Sequence, residues 1–211
     1  MTDTPKQDKR DQSIRRILDA ALKIFATLGF NGARIDDIAR EAGINKAMIY
    51  YRIGDKQTLY QAVIHDIYSD RTESLKEKVL SEPSPEKKLN TFIADVAATL
   101  SDHPYFTKIM MREIITGWTN FSQAVIEDVS GTFKVLRTIL DEGIKKGVFI
   151  QADPLAVHHM TMGTLLLHNL SLPVRNQFQA VLGTSGLSPD NQSFNNLVPE
   201  VQRLMLAALR P

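Results

Sequence analysis

The sequence predicts an all-α protein of about nine helices, with a small N-terminal head and a larger C-terminal body. Apolar residues recur at steps of three and four along nearly the whole chain, which is the period of an amphipathic helix. No segment shows the sustained alternation of a β-strand, and no internal repeat is found. Two short helical segments on either side of Gly43 set the head apart from the body.

The head is predicted to contain three helices. Gly29 follows the apolar stripe of the first helix, where a C-terminal cap is expected. Gly43 lies in the turn between the second and third helices, and Asn45 is placed to cap the third through its side-chain oxygen. The predicted segments are residues 14–28, Asp36–Ala42 and Lys46–Arg52.

Start signals place the remaining helices. Asp55 can cap a long fourth helix whose apolar stripe continues to about Leu80. Proline is favoured at the first position of a helix, and Ser84 before Pro85 strengthens that signal. Residues 173–196 are rich in Gly, Ser, Asn and Pro and predict a long loop, with room for one helical turn near 174–182. The other predicted helices begin near Pro85, Pro104, Phe121, Pro154 and Pro199.

The composition limits the classes of function. The chain has 211 residues, enough to bury a sizeable core, and no cysteine, which excludes disulfides, thiolate metal sites and cysteine nucleophiles. A reducing compartment, the cytoplasm, is expected. The net charge is +1, with 11 Lys/Arg against 8 Asp/Glu in residues 1–56 and 14 against 16 beyond them. This mild basic excess in the head supports a nucleic-acid partner only weakly.

Neither the N-terminus nor any later segment predicts contact with a membrane. The stretch "MTDTPKQDKRDQS" is polar, lacks the apolar region of a signal peptide and predicts a frayed tail. The most apolar run, Met160–Leu172, is shorter than the roughly 20 residues that a membrane span needs. No membrane partner is therefore expected.

The two short helices predict a helix-turn-helix. Its small core is predicted to consist of Ile38, Ala39, Ile44 and Ile49. With that face inward, the front of the second short helix is exposed, and such a helix fits the DNA major groove. Lys46 can donate to guanine, and Ala47 and Met48 offer apolar contact to a thymine methyl. Tyr50 lies one turn further on.

A second set of residues is placed to contact phosphates. Tyr51, Arg52 and Lys56 lie beyond the part of the helix that faces bases, and Arg34 directly precedes the first short helix. Taken singly, each is more often a solvated surface residue or an inward-packed tyrosine. Taken together, the caps, the glycine, the small residue at the crossing and the cations favour DNA binding.

Residues 14–60, "IRRILDAALKIFATLGFNGARIDDIAREAGINKAMIYYRIGDKQTLY", resemble the N-terminal domain of TetR-family transcriptional regulators. The resemblance covers about a quarter of the chain. The family usually has Thr or Ser where this chain has Arg34 and Met48. It often has His-Phe where this chain has Arg52 and Ile53.

The resemblance implies a DNA-binding domain at residues 1–56 and an effector-binding and dimerisation domain at residues 57–211. It also implies a homodimer that binds a double-stranded DNA operator, usually as a repressor that a small-molecule effector releases. By position, Lys46, Ala47 and Tyr50 would face bases. The residues that would touch the DNA backbone are Arg34, Tyr51, Arg52 and Lys56.

The body offers candidates for an effector pocket, although ordinary core packing explains each of them as well. Trp118, beside a predicted helix end, could line an entrance. Glu113 could instead pair with Arg112 or Lys108. The candidates are Phe92, Phe106, Met110, Glu113, Trp118, Phe121, Met162, Leu166 and His168.

No metal or other cofactor is expected. His158 and His159 are adjacent on a helix and point about 100° apart, whereas chelating pairs are three or four residues apart. His168 is a further nine residues along. Solvated or interface histidines are the better interpretation.

The last two predicted helices are candidates for the dimer surface. The helix from Pro154 carries Leu155, Met162 and Leu165–Leu167 and is apolar around most of its girth, as expected of a helix covered on two sides. Burial within one chain is the competing interpretation, and the symmetry of two-fold operators favours the dimer.

Two other classes of function compete with DNA binding. An enzyme is not predicted, because the chain lacks a nucleophile elbow, a phosphate-binding glycine loop and an acidic pair in a catalytic context. The alternative is a helical protein-interaction module that does not bind DNA. Steep salt dependence of DNA binding would distinguish a DNA-binding regulator from both.

Overall fold

Only α-helices, turns and bends occur in the residues described by the computed structural model, which are 4–68, 71–171, 173–175, 177, 181 and 193–211. The all-α prediction is confirmed. Ten helices are described: α1 (Thr4–Gly32), α2 (Ile35–Ala42), α3 (Lys46–Arg52), α4 (Lys56–Tyr68), α5 (Arg71–Leu80), α6 (Pro85–Asp102), α7 (Pro104–Thr116), α8 (Gln123–Lys145), α9 (Pro154–Leu170) and α10 (Ser193–Leu209).

The chain folds as two compact units. The head unit comprises Met1–Asp70 and Lys108–Asp128, and the body unit comprises Arg71–Thr107 and Val129–Pro211. The division therefore passes through helices α7 and α8. The predicted functional domains, 1–56 and 57–211, divide the chain differently and stay a prediction.

The core of the head unit forms where α1 packs on α2 and α4, and α2 packs on α3. Ile17, Ile38 and Ile49 are fully buried there. The ring of Phe25 meets the ring of Tyr60 edge-on, with centroids 4.7 Å apart. Aromatic packing of this kind adds to the stabilisation from area burial alone.

The body unit is built around α6, which packs on α5, α9 and α10. Its buried face carries Leu89, Phe92 and Ile93, each without accessible surface. Gly143 on α8 leaves room for Phe149, since a Cβ at this position would lie 2.0 Å from the Phe149 ring. A larger residue at 143 would force the ring out of the core.

Most predicted caps are confirmed. Asn45 Oδ1 accepts from Ala47 N at 2.9 Å, and Asp55 Oδ1 accepts from Thr58 N at 2.8 Å. Ser84 caps α6 with Pro85 at its first position. Asp153, which was not predicted as a cap, caps α9. These side chains satisfy amide groups that have no partner inside their own helix.

Three sequence expectations differ from the structure. The predicted frayed tail is helical from Thr4, and α1 continues to Gly32 across a break at Gly29, which has φ 72°. The last helix begins at Ser193 and contains Pro199, so the end of the predicted loop is helical. A proline start signal marks where a helix is allowed to begin, and packing can extend the helix before it.

Two other expectations fall partly on residues outside the described ranges. The predicted long helix from Asp55 to about Leu80 is described as α4 and α5, and residues 69 and 70 between them are not described. Of the predicted loop before Ser193, only residues 173–175, 177 and 181 are described, and they are helical.

Candidate nucleic-acid interface

The turn between α2 and α3 depends on Gly43. Its φ of 64° and ψ of 40° lie in the left-handed region, and its N–H donates to Arg40 O at 3.2 Å. Ile44 N donates to Ala39 O at 3.0 Å, which closes the end of α2. A side chain at residue 43 would be strained by this backbone conformation. The turn is the one that the sequence predicted.

Burial fixes which sides of α2 and α3 face outward. Ile38 and Ile49 are fully buried, and Ala39 is nearly so, whereas Ile44 is half-buried. Because these apolar residues hold α2 against α1 and α3 against α2, the opposite face of α3 is left at the surface. The predicted helix-turn-helix core is thus present.

The exposed face of α3 carries the residues predicted to contact bases. Lys46, Ala47 and Tyr50 are exposed, and Met48 is half-buried. Tyr51 is 85 % exposed, so neither of the adjacent tyrosines is a core residue. Both tyrosines are therefore available to contact a partner.

Lys46 is held by an acidic residue for which the sequence gave no separate signal. Its Nζ lies 3.0 Å from Oδ1 of Asp36, in the first turn of α2. The hydrogen bond and the charge of Asp36 raise the pKa of Lys46. Lys46 therefore remains a cation, and its position at the front of α3 is tied to α2.

The residues predicted to contact phosphates have different surroundings. Arg34 is exposed and precedes α2 without capping it through its side chain. Arg52 is half-buried. Lys56 Nζ donates to Phe30 O at 2.9 Å and to Ala33 O at 3.2 Å, so it also fixes the end of α1.

Two contacts from α1 position the helix-turn-helix, and neither was predicted. Arg16 Nη2 donates to Ala42 O at 2.6 Å, at the carbonyl end of α2 where a cation is favoured. Lys23 pairs with Glu41 at 3.3 Å. The sequence separation of 26 residues between Arg16 and Ala42 explains why local patterns gave no signal.

The head unit also contains a buried polar cluster, defined by Tyr60, Glu113 and Asn120. The Tyr60 hydroxyl and Asn120 Nδ2 each donate to Glu113 Oε1 at 2.8 Å. Burial, followed by the hydrogen bond to Glu113 and its charge, raises the pKa of Tyr60. The phenol therefore stays protonated and acts as the donor. Glu113 therefore accepts from a tyrosine and an asparagine that the sequence did not suggest as its partners.

Further hydrogen bonds hold α7 to α1, and the loop after α7 to α4. Gln57 and Gln61 both donate to Asn120 O, at 2.8 and 2.6 Å. Arg112 Nη2 donates to Thr27 O at 3.0 Å. The C-terminal part of α7 thus belongs to the same packed unit as the helix-turn-helix.

The structure distributes the predicted pocket residues over the two units. In the head unit, Trp118 packs edge-on against Phe121, with ring centroids 5.3 Å apart, and Phe121 lies 5.9 Å from Tyr60. Met110 is also in this unit. In the body unit, Phe92, Phe106 and Leu166 are buried, Met162 is half-buried, and the His168 carbonyl accepts from Arg175.

The described residues contain neither a metal-binding cluster nor a membrane-spanning helix. No group of three or more His, Asp or Glu side chains is arranged to hold a metal ion there. Across the same described ranges, every helix is too short or too polar to cross a membrane.

Comparison with known proteins identifies the family. Residues 17–63 match the model described as bacterial regulatory proteins of the tetR family, and residues 85–195 match the tetracyclin repressor-like C-terminal domain. The chain belongs to the TetR family. It is a DNA-binding transcriptional regulator, which decides against both an enzyme and a protein-interaction module without DNA binding.

Relatives of this TetR-family regulator match over most of their length. The transcriptional repressor NicS of Pseudomonas putida is 31% identical over 73% of this chain and 73% of its own. The transcriptional regulator RutR of Escherichia coli is 27% identical over 93% of this chain and 90% of its own.

Solved structures show the same fold. The hemolysin II transcriptional regulator HlyIIR has a TM-score of 0.65 at 25% identity, with 96% of this chain and 99% of that chain covered. The regulator FadR of Bacillus subtilis, solved with stearoyl-CoA, has a TM-score of 0.70 at 18% identity over 92% of this chain and 98% of that chain.

Proposed function

We propose that this regulator is a homodimeric repressor that inserts α3 into the DNA major groove and releases its operator when a small molecule binds. The observation that carries the proposal is the exposed face of α3, where Lys46, Ala47 and Tyr50 stand in front of a buried core. A helix presented in this way fits the major groove. Since its target is chromosomal DNA, we place the protein in the cytoplasm.

In the proposed complex, Lys46 donates to guanine O6 or N7, and Ala47 and Met48 lie against a thymine methyl. Tyr50 faces the neighbouring base. Arg34, Tyr51, Arg52 and Lys56 contact phosphates and fix the register of the helix on the duplex. Asn45 supports this arrangement because its cap sets the direction of the first turn of α3.

Lys46→Ala tests the proposed contact with bases. The duplex to use is one that the full-length wild-type chain selects from a randomised pool, compared with a scrambled duplex of the same composition. Loss of a base contact typically costs about tenfold in discrimination at the contacted position. Unchanged affinity and unchanged base preference would show that α3 is not docked as proposed.

Exposed apolar side chains on α9 and α10 support the homodimer. On α9, Leu165 is fully buried, whereas Leu155, Met160 and Leu167 are exposed. On α10, Leu204 is exposed. A helix with apolar residues on two sides is stabilised when its own chain covers one side and a second copy of the chain covers the other. A two-fold dimer would also match a two-fold operator.

Leu167→Glu tests the dimer by sedimentation. We expect this variant to sediment as a monomer and to lose operator affinity, because one α3 contacts only half of the site. Leu80→Glu is the matched control, since Leu80 is an exposed leucine of α5. A Leu167→Glu variant that remains dimeric would place the interface elsewhere.

The effector is proposed to bind among the largely apolar side chains of the body unit. Phe92, Phe106 and Leu166 supply buried apolar surface there, with Met162 and His168 on α9. Binding to only one of two conformations would lower operator affinity. The chain has one tryptophan, Trp118, in the loop after α7.

Fluorescence of Trp118 gives a test of the effector response. A library of small organic metabolites is titrated against the full-length chain, and each compound that changes the emission is then added to the protein–operator complex. Release of the duplex is expected for an effector. Compounds that change the emission but never release the duplex would contradict the proposed coupling.

A further inference from the structure

The face of the head that carries Lys46 and Tyr50 also carries an acid. Asp36, the second residue of α2, is exposed, and its carboxylate is the partner of Lys46 at 3.0 Å. A negative charge on a surface that meets phosphates opposes binding. The position of Asp36 beside Lys46, the first residue of α3, therefore needs an explanation other than solubility of the protein.

Helix stability alone does not single out Asp36. An acid in the first turn of a helix is favourable because of the helix dipole, and Asp37 is present in that same turn. Asp37 pairs with Arg40 of its own helix at 2.8 Å. Asp36 differs, because it reaches from α2 to the first residue of α3.

The contact joins two rigidly placed backbones. Ile38 and Ile49 are buried in the common core, and Gly43 fixes the turn between their helices. The distance that the Asp36–Lys46 pair spans is therefore set by the fold. A lysine side chain without such a partner has more rotamer freedom to lose on binding.

The chemistry of the ammonium group allows the pair to persist on DNA. Lysine has three N–H donors and no acceptor. One donor can remain on the Asp36 carboxylate while the others point to guanine O6 and N7. The same carboxylate repels phosphate oxygens, so it disfavours a swing of Lys46 onto the DNA backbone.

We propose that Asp36 is a specificity-determining residue that positions Lys46 toward a base edge and away from phosphates. This inference rests on the proposed docking of α3 in the major groove. Asp36 acts through Lys46 and is itself a positioning residue. It raises the ratio of affinity for the operator to affinity for unrelated DNA.

The test compares Asp36→Ala with Asp37→Ala in the full-length protein. Each removes one acid from the first turn of α2, so the loss of charge and of the dipole interaction is matched. The affinities for the selected duplex and for its scrambled counterpart are measured over a range of salt concentrations. Asp36→Glu is included because it restores a carboxylate within reach of Lys46.

For Asp36→Ala we expect the ratio of the two affinities to fall about two- to fivefold, the range of exposed ion pairs. Most of the change should come from tighter binding to the scrambled duplex. Asp37→Ala should leave the ratio at the wild-type value, and Asp36→Glu should restore it. An unchanged ratio in Asp36→Ala, or an equal fall in Asp37→Ala, would overturn the inference.

A double mutant separates this inference from the proposal that it rests on. In a Lys46→Ala background, Asp36→Ala should leave the ratio unaltered, and a further fall there would show that Asp36 does not act through Lys46. If Lys46→Ala alone leaves the ratio at the wild-type value, the proposed docking of α3 fails. If Lys46→Ala lowers the ratio and Asp36→Ala does not, only the role of Asp36 fails.

Discussion

Two groups of tyrosine and charged side chains in the head unit have opposite surroundings. On α3, Tyr51 is 85 % exposed, and Lys46 and Tyr50 are also at the surface. In the buried polar cluster, Tyr60 and Glu113 are each 2 % exposed and bond to each other. Tyrosine is therefore available to a partner where it faces water and helps to hold the fold together where it does not.

The free-energy cost of removing a side chain depends on whether its partners are buried protein groups or water. A buried polar group whose partner is removed loses a hydrogen bond and gains nothing from water. An exposed group is solvated at once, so its removal leaves the folded state almost unchanged. Variants in the cluster should therefore change stability, and variants on α3 should change DNA binding.

The largest effect is expected for Glu113→Ala. It removes the acceptor of both Tyr60 and Asn120 in a buried site, at a cost of about 3 kcal/mol in the free energy of unfolding. Urea unfolding measures this cost. Glu41→Ala is the control, since Glu41 pairs with Lys23 at the surface and should cost no more than about 0.5 kcal/mol. Equal costs for both variants would remove the distinction between the two groups.

Gly43→Ala should have the next largest effect. A side chain at a φ of 64° costs about 1–2 kcal/mol, and here it would also meet Arg16 Nη2 at 3.1 Å. Gly32→Ala is the control, because its Cβ would make only ordinary contact with Leu28. Thermal unfolding and operator binding are measured together. Full stability in Gly43→Ala would show that the turn has another accessible conformation.

The α2–α3 turn and the buried polar cluster differ in how far the sequence predicts them. The α2–α3 turn was predictable because Asn45, Gly43 and the apolar spacing are local signals that act within a few residues. The cluster was not, since Tyr60 and Glu113 are 53 residues apart and a single sequence contains no record of such a contact.

The Asp36–Lys46 pair lies between these extremes. Its ten-residue separation is bridged by a motif of known geometry, so the contact could have been inferred once the helix-turn-helix was recognised. The residues of the effector site could not be ranked from the sequence, because an apolar side chain at helical spacing serves a core and a pocket equally well.

Removing a single hydroxyl group from a buried and from an exposed tyrosine tests the same contrast with smaller expected effects. Tyr60→Phe should lower the free energy of unfolding by about 1–2 kcal/mol, because Glu113 loses a donor. Tyr51→Phe should leave unfolding unchanged and weaken binding to every duplex about fivefold. Unfolding in urea and a binding titration supply both values. A loss of stability in Tyr51→Phe would place this tyrosine in a structural contact.

Arg34→Ala should also leave the fold nearly unchanged. Because Arg34 is exposed and makes no side-chain cap, the free energy of unfolding should stay within about 0.5 kcal/mol of wild type. The slope of log affinity against log salt should fall by about one. Arg15→Ala, an exposed cation of α1, is the control and should keep the wild-type slope. A wild-type slope in Arg34→Ala would remove it from the proposed phosphate contacts.

The head unit is discontinuous along the chain, since Lys108–Asp128 completes what Met1–Asp70 begins. A fragment that stopped at residue 70 would leave the Tyr60 hydroxyl without its acceptor and α1 without Arg112. Chimeric regulators made by joining this N-terminus to a foreign sensor should consequently fold well only when the later segment is transplanted with it.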